Sequence, residues 1–157
     1  MASQAYGEIR AKGQDINCEN TARLFVDGKL VLDKPTVPMH ANAGTIAPIA
    51  WSRDGRWLVI EYGEYFYASD FGGIDLFLYD AASGKVRHPN VIRSIERGHS
   101  GKRCKLDLGG VSGFDSRNQL RIYVHDYAEA DGQRNSYCID DSEEWSYDPV
   151  TGAVRRI

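Results

Sequence analysis

Cysteine is scarce in this chain, and so are methionine and long apolar runs. Three cysteines among 157 residues (Cys18, Cys104 and Cys138) are too few for a disulfide scaffold. They form no Cys-x-x-Cys pair, and the four histidines (His40, His88, His99, His125) stand at no metal-ligand spacing, so no metal site is expected. No apolar stretch approaches the roughly 20 residues of a spanning helix; the longest, such as Trp57-Leu-Val-Ile60, are strand-length. An excess of one charge sign is also missing. Nineteen Lys and Arg against 22 Asp and Glu leave a formal charge of −3, which gives neither nucleic acid nor an anionic membrane a reason to bind. The chain opens without a charged segment followed by an apolar core, so no signal peptide is expected within it. Met1-Ala2-Ser3 reads as an added start before an internal sequence, which leaves two locations open: periplasmic after removal of a signal peptide, or cytoplasmic. Helical periodicity is absent too. The best case, Asn90 to Glu96, predicts one short turn at most.

What is present points to β structure. The chain has 16 glycines and nine tyrosines, and 42% of its residues are apolar, an ordinary share for one globular domain. Two segments repeat. Tyr-Asp-x-x-(Ser/Thr)-Gly-x-Val-Arg occurs at Tyr79–Arg87 and again at Tyr147–Arg155. Upstream, Ala50-Trp-Ser-Arg-Asp-Gly-Arg-Trp-Leu-Val-Ile60 aligns with Gly113-Phe-Asp-Ser-Arg-Asn-Gln-Leu-Arg-Ile-Tyr123, placing Leu120 opposite Trp57. Both halves recur in the same order, which predicts a duplicated unit of four antiparallel strands in meander order. Ser52–Gly55 and Asp80–Gly84 supply the turn formers, each ending in a Gly able to take positive φ. A further hairpin is expected around Asp27-Gly28, between Ala22 and Leu32.

The run Trp-Ser-x-Asp-Gly-Arg-x-Leu, followed by Asp-Leu-x-Leu-Tyr-Asp-x-x-Ser-Gly-Lys, resembles the blade repeat of TolB-type and WD-type β-propellers. The likeness is good across Ala47–Arg87. It is degraded across Gly110–Ile157, where Phe114 stands for the Trp and Asn118 for the turn Gly. The resemblance implies an all-β, incomplete propeller of about two and a half blades in one domain, 1–157: a half-blade at 20–34, a blade at 46–88 and a blade at 104–157. A closed propeller needs at least four blades. An unrelated β-sandwich with similar hairpins is the plainer alternative.

Catalytic motifs fail in turn. Gly110-Val-Ser-Gly113 lacks the nucleophile elbow, Gly98-His-Ser-Gly-Lys102 has the wrong spacing for a P-loop, and Asp126–Gly132 puts Ala128 and Ala130 where calcium ligands should stand. No enzyme and no cofactor is expected. More informative is the connection Gly63–Gly73, longer than a tight turn requires, which carries Tyr65, Phe66, Tyr67, Asp70 and Phe71. Loop aromatics suit protein contacts, although the same rings could equally cap the sheet as core. Charge is segregated: 85–105 holds seven Lys and Arg against Glu96, and 126–148 holds eight Asp and Glu against Arg134. These stretches either face each other or water, or the acidic one meets a basic partner.

A protein-binding inhibitor fits these features best. The layout is similar to immunity proteins that neutralise cell-wall amidase effectors of type VI secretion, a toxin–antitoxin arrangement. That likeness implies a monomer that occludes a toxin-like hydrolase. Gly109-Gly110-Val-Ser112-Gly113 would be the plug in the partner's cleft, with the Tyr65–Phe71 loop and the acidic segment containing Asp141 and Glu143 as anchors. The plain alternative for the glycines is an approach to a blade's inner strand. In an exported chain, Cys104 and Cys138 are expected to pair, leaving Cys18 free. The competing function is a small-ligand or glycan-binding module completed by oligomerisation.

Overall fold

The computed structural model describes residues 1–10, 18–35, 43–65, 72–98, 105–126, 139 and 142–157. These form three antiparallel meanders. Sheet A comprises β1 (Ala2–Arg10), β2 (Cys18–Val26) and β3 (Lys29–Pro35). Sheet B comprises β4 (Ala43–Trp51), β5 (Trp57–Tyr65), β6 (Gly72–Asp80) and β7 (Lys85–Arg87). One helix, α1 (Val91–Gly98), precedes sheet C, made of β8 (Leu106–Phe114), β9 (Leu120–Asp126), β10 (Glu143–Tyr147) and β11 (Val154–Arg156). The all-β class read from the sequence therefore holds, with two four-stranded units where the repeat placed them. The hairpin expected at 20–34 belongs to a three-stranded sheet, because Ala2–Arg10 pairs along the whole of β2.

Sheet B lies between the other two and is apolar on both faces. Consecutive residues Trp57, Leu58, Val59 and Ile60 are all buried, and so are Leu76 to Tyr79. Because strand side chains alternate, one set must face each way. Leu58, Ile60, Tyr62, Phe77 and Tyr79 join Ala22, Leu24 and Val26 of sheet A in one core. Trp57, Val59, Leu76 and Leu78 join Leu108, Leu120, Ile122, Val124, Trp145 and Tyr147 of sheet C in the other. Continuous apolar runs in β5 and β6 are what such a middle layer requires. In β9 and β10, by contrast, buried residues strictly alternate with more exposed ones. That pattern marks a sheet with one face packed and one face open.

The two four-stranded units correspond strand for strand in order and pairing, but not at the alignment expected from sequence. Trp51 pairs with Leu58, and its counterpart Phe114 pairs with Leu120. Leu58 also pairs with Tyr79, as Leu120 does with Tyr147. Leu120 is therefore the structural equivalent of Leu58 and not of Trp57. The turn of sheet C is one residue shorter, and a one-residue slip reverses which side chains face inward. The helix also exceeds the single turn expected. Val91 and Ile95, four apart and both buried, dock it on the core shared by sheets B and C.

Candidate functional site

Among the described residues, the tight turns lie at one end of the stack. Sheet A turns at Asp27-Gly28, where φ of +50° and +75° identifies a type I′ hairpin. Lys29 beside it brings its Nζ to within 3.5 Å of where a Cβ on Gly84 would stand, so this turn lies next to the β6–β7 turn of sheet B. Between sheets B and C, the Arg53 N–H donates to Asn118 Oδ1 at 2.8 Å. Strands therefore leave the opposite end towards every longer connection.

Aspartates hold these turns. Asp80 accepts from the Ala82 N–H at 3.0 Å, the Ser83 hydroxyl at 3.1 Å and the Arg56 guanidinium at 3.3 Å. Asp148, its equivalent in the repeat, accepts from the Val150 and Thr151 amides at 2.7 and 3.2 Å. Gly84 and Gly152 close the two turns identically, each donating to the aspartate's own carbonyl at 2.8 Å from a positive φ. Partial burial pushes both carboxyls up, but the hydrogen bonds outweigh it and hold them below the usual range. Asp54 is lowered chiefly by the Ser52 hydroxyl. These are turn locks (Asx turns) rather than chemistry.

The glycine-rich segment expected to be a plug loop is a strand. Gly109–Gly113 lies inside β8, the edge strand of sheet C, and pairs with β9 through two irregularities at Leu108/Gly110 and Val111/Gly113. Gly110 and Gly113 take φ of +151° and +105°, which is how the strand bends there. Gly113 is buried, and a Cβ on it would stand 3.2 Å from the Ala50 Cβ of β4. It serves the contact between two edge strands. Ser112 is exposed on this edge. Along the neighbouring edge strand β4, Ile49 and Trp51 are each 38% exposed.

No family model, curated protein or solved structure matches the chain.

Of the proposed anchors, Tyr65 closes β5 opposite Gly72, so the hairpin runs three residues further into the aromatic segment than its turn signals suggested. The side chain of Tyr65, and Tyr67, Asp70, Phe71 and Asp141 altogether, lie outside the described residues, as do Cys104 and Cys138. Glu143 is described and is not an exposed anchor. It is buried in β10, accepts from the Trp145 indole N–H at 3.0 Å and pairs with Arg156 at 2.8 Å. It stands opposite the buried Val124 in the ladder, and a carboxylate so placed needs polar partners.

The open face of sheet C carries what the sequence reading missed. Where sheet B presents Val59, Leu76 and Leu78 to its neighbour, the equivalent positions here are Arg121, Glu144 and Ser146. Arg121 reaches Glu144 at 3.2 Å and Asp115 at 3.7 Å. With Arg117, Arg155 and Arg156 it lines a groove of about 470 Å³. The signal is present in the alternation of Leu120-Arg-Ile-Tyr-Val124, but the alignment of Leu120 with Trp57 sets Arg121 against Leu58, one residue short of its structural equivalent Val59. Among the described residues, no three His, Cys, Asp or Glu side chains gather as a metal site would need.

Proposed function

We propose that this chain is a non-catalytic protein-binding inhibitor, an incomplete β-propeller of stacked blades that occludes the active site of a toxin-like hydrolase, in the manner of an immunity protein to a cell-wall amidase. A periplasmic setting belongs to the same reading. The observation that carries it is the division of the molecule into two unlike ends. Tight, aspartate-locked turns fill one end. At the other, the ends of β5 and β9 are joined onward by six and sixteen residues (66–71 and 127–142), far more than a hairpin needs. A rigid stack with surplus chain at one end is the layout of a scaffold that presents contact loops.

The competing reading, a glycan-binding ring completed by several copies, meets an obstacle in sheet C. Closing a ring through its open face would bury Arg121 and Glu144 where sheet B buries Val59 and Leu76. Desolvating such a pair costs several kcal/mol. The test is co-purification of the tagged chain from its native lysate, in parallel with a sugar array. The proposal expects a hydrolase in stoichiometric complex and a dark array. An empty pull-down with defined sugar binding overturns it in favour of the glycan module.

A further inference from the structure

The groove on the open face of sheet C is lined by Arg117, Arg121 and Arg155 together with Asp115 and Asp148. Arg156 borders it too, but it stands opposite Trp145 in the ladder and turns its guanidinium to Glu143 on the packed face. The acidic groups are already engaged. Asp115 accepts from the Arg117 and Gln119 amides at 2.8 and 2.9 Å, and Asp148 from the amides of its own turn. Two of the arginines are engaged as well, Arg121 with Asp115 and Glu144, and Arg156 with Glu143. Arg117 and Arg155 are not: both are exposed, and no carboxylate among the described residues pairs with either. The groove therefore offers two uncompensated guanidiniums, groups whose planar fork matches a carboxylate.

Its surroundings favour a protein segment over a small anion. Tyr123, 40% exposed, follows Arg121 on the open face of β9, and Ile157, 56% exposed, lines the groove beside Arg155. Ile157 is held there by its N–H donating to the Glu144 carbonyl at 3.0 Å. Arginine and tyrosine with an apolar neighbour is the composition that protein interfaces concentrate. We propose that this groove is a docking surface for an acidic segment of a partner protein, with Arg117 and Arg155 as its charge anchors. The inference rests on the reading of the chain as a protein-binding module, and assigns it a second contact face away from the loop end.

The test uses a fluorescent decaglutamate peptide and anisotropy titration against the whole chain. Saturable binding that weakens with added salt is expected. Arg117→Ala with Arg155→Ala should weaken it at least tenfold. Lys29→Ala with Lys85→Ala, exposed cations at the same end of the stack outside the groove, should change it less than twofold. Arg117→Glu with Arg155→Glu should abolish decaglutamate binding and admit decalysine instead. Absence of saturable binding, equal loss in both alanine pairs, or inorganic phosphate competing as well as the peptide would each overturn the proposal. No hydrolase is needed, so failure here leaves the inhibitor reading standing, and failure to capture a hydrolase leaves the groove standing.

Discussion

The Arg53 amide donates to the side-chain oxygen of Asn118 across 65 residues of sequence, joining the corresponding turns of the two repeats. Asn118 holds φ of +58° at the place where Gly55 holds +71°. The residue that replaced the turn glycine thus kept its backbone geometry and added a bond between sheets. Asparagine tolerates that geometry better than other non-glycine residues.

Two effects can therefore be separated at this position. Asn118→Gly removes the hydrogen bond but keeps an easy positive φ, and should cost about 1 kcal/mol. Asn118→Ala loses the bond and strains the backbone, and should cost about 2 kcal/mol. Urea denaturation of both variants checks the order. Equal losses would mean that the positive φ at this position adds no strain for a non-glycine residue, and no loss in Asn118→Gly would mean that the bond contributes nothing.

Gly113 is constrained twice, by its φ of +105° and by Ala50 opposite. Gly113→Ala should destabilise by about 2 kcal/mol, combining backbone strain with overpacking. Ala50→Gly in the same chain removes the steric part only, so it should recover some of the loss and not all of it. Full recovery would show that the backbone conformation carries no strain.

Stability should fall on acidification. The carboxyls of Asp54, Asp80 and Asp148 are held below their ordinary range in the folded chain. The unfolded chain therefore binds protons more readily, and the stabilisation present above the unfolded value near pH 4 is lost as pH drops through the lower folded values. Asp80→Asn with Asp148→Asn keeps the acceptors for the turn amides but removes the charge. This pair should be less stable than wild type at pH 7 and show a flatter decline below pH 4 in thermal melts. An unchanged slope would place the acid sensitivity elsewhere.

The turns were the most legible part of the sequence, because Asp27-Gly28, Ser52–Gly55 and Asp80–Gly84 carry their geometry locally. The middle sheet was legible as well, since Trp57–Ile60 is apolar without alternation. Register was not. The turn before Leu120 is one residue shorter than the turn before Leu58, and nothing local distinguishes a deletion there from a substitution. The helix at Val91–Gly98 depends on the core beneath Val91 and Ile95, and Gly109–Gly113 becomes strand because β9 pairs with it. Both are tertiary effects. The arginine groove joins Arg117 and Arg121 to Arg155 and Arg156 only once β9, β10 and β11 are side by side.

Glu143 gives a prediction about buried charge. Arg156→Ala leaves the carboxylate buried with only its remaining hydrogen bonds, and should cost about 2 kcal/mol, below the range for fully buried pairs because Arg156 itself is largely exposed. Adding Glu143→Gln should restore stability, since the amide oxygen still accepts from the Trp145 indole. A double variant weaker than Arg156→Ala alone would show that the charge of Glu143 is itself stabilising.

The most direct measurement of the functional account is a titration of this chain into the hydrolase it captures, with cleavage of a cell-wall peptide followed as the readout. Activity should fall linearly to zero at one inhibitor per enzyme, with the chain recovered intact and no turnover of its own. Residual activity at saturation, or capture without any loss of hydrolysis, would contradict it.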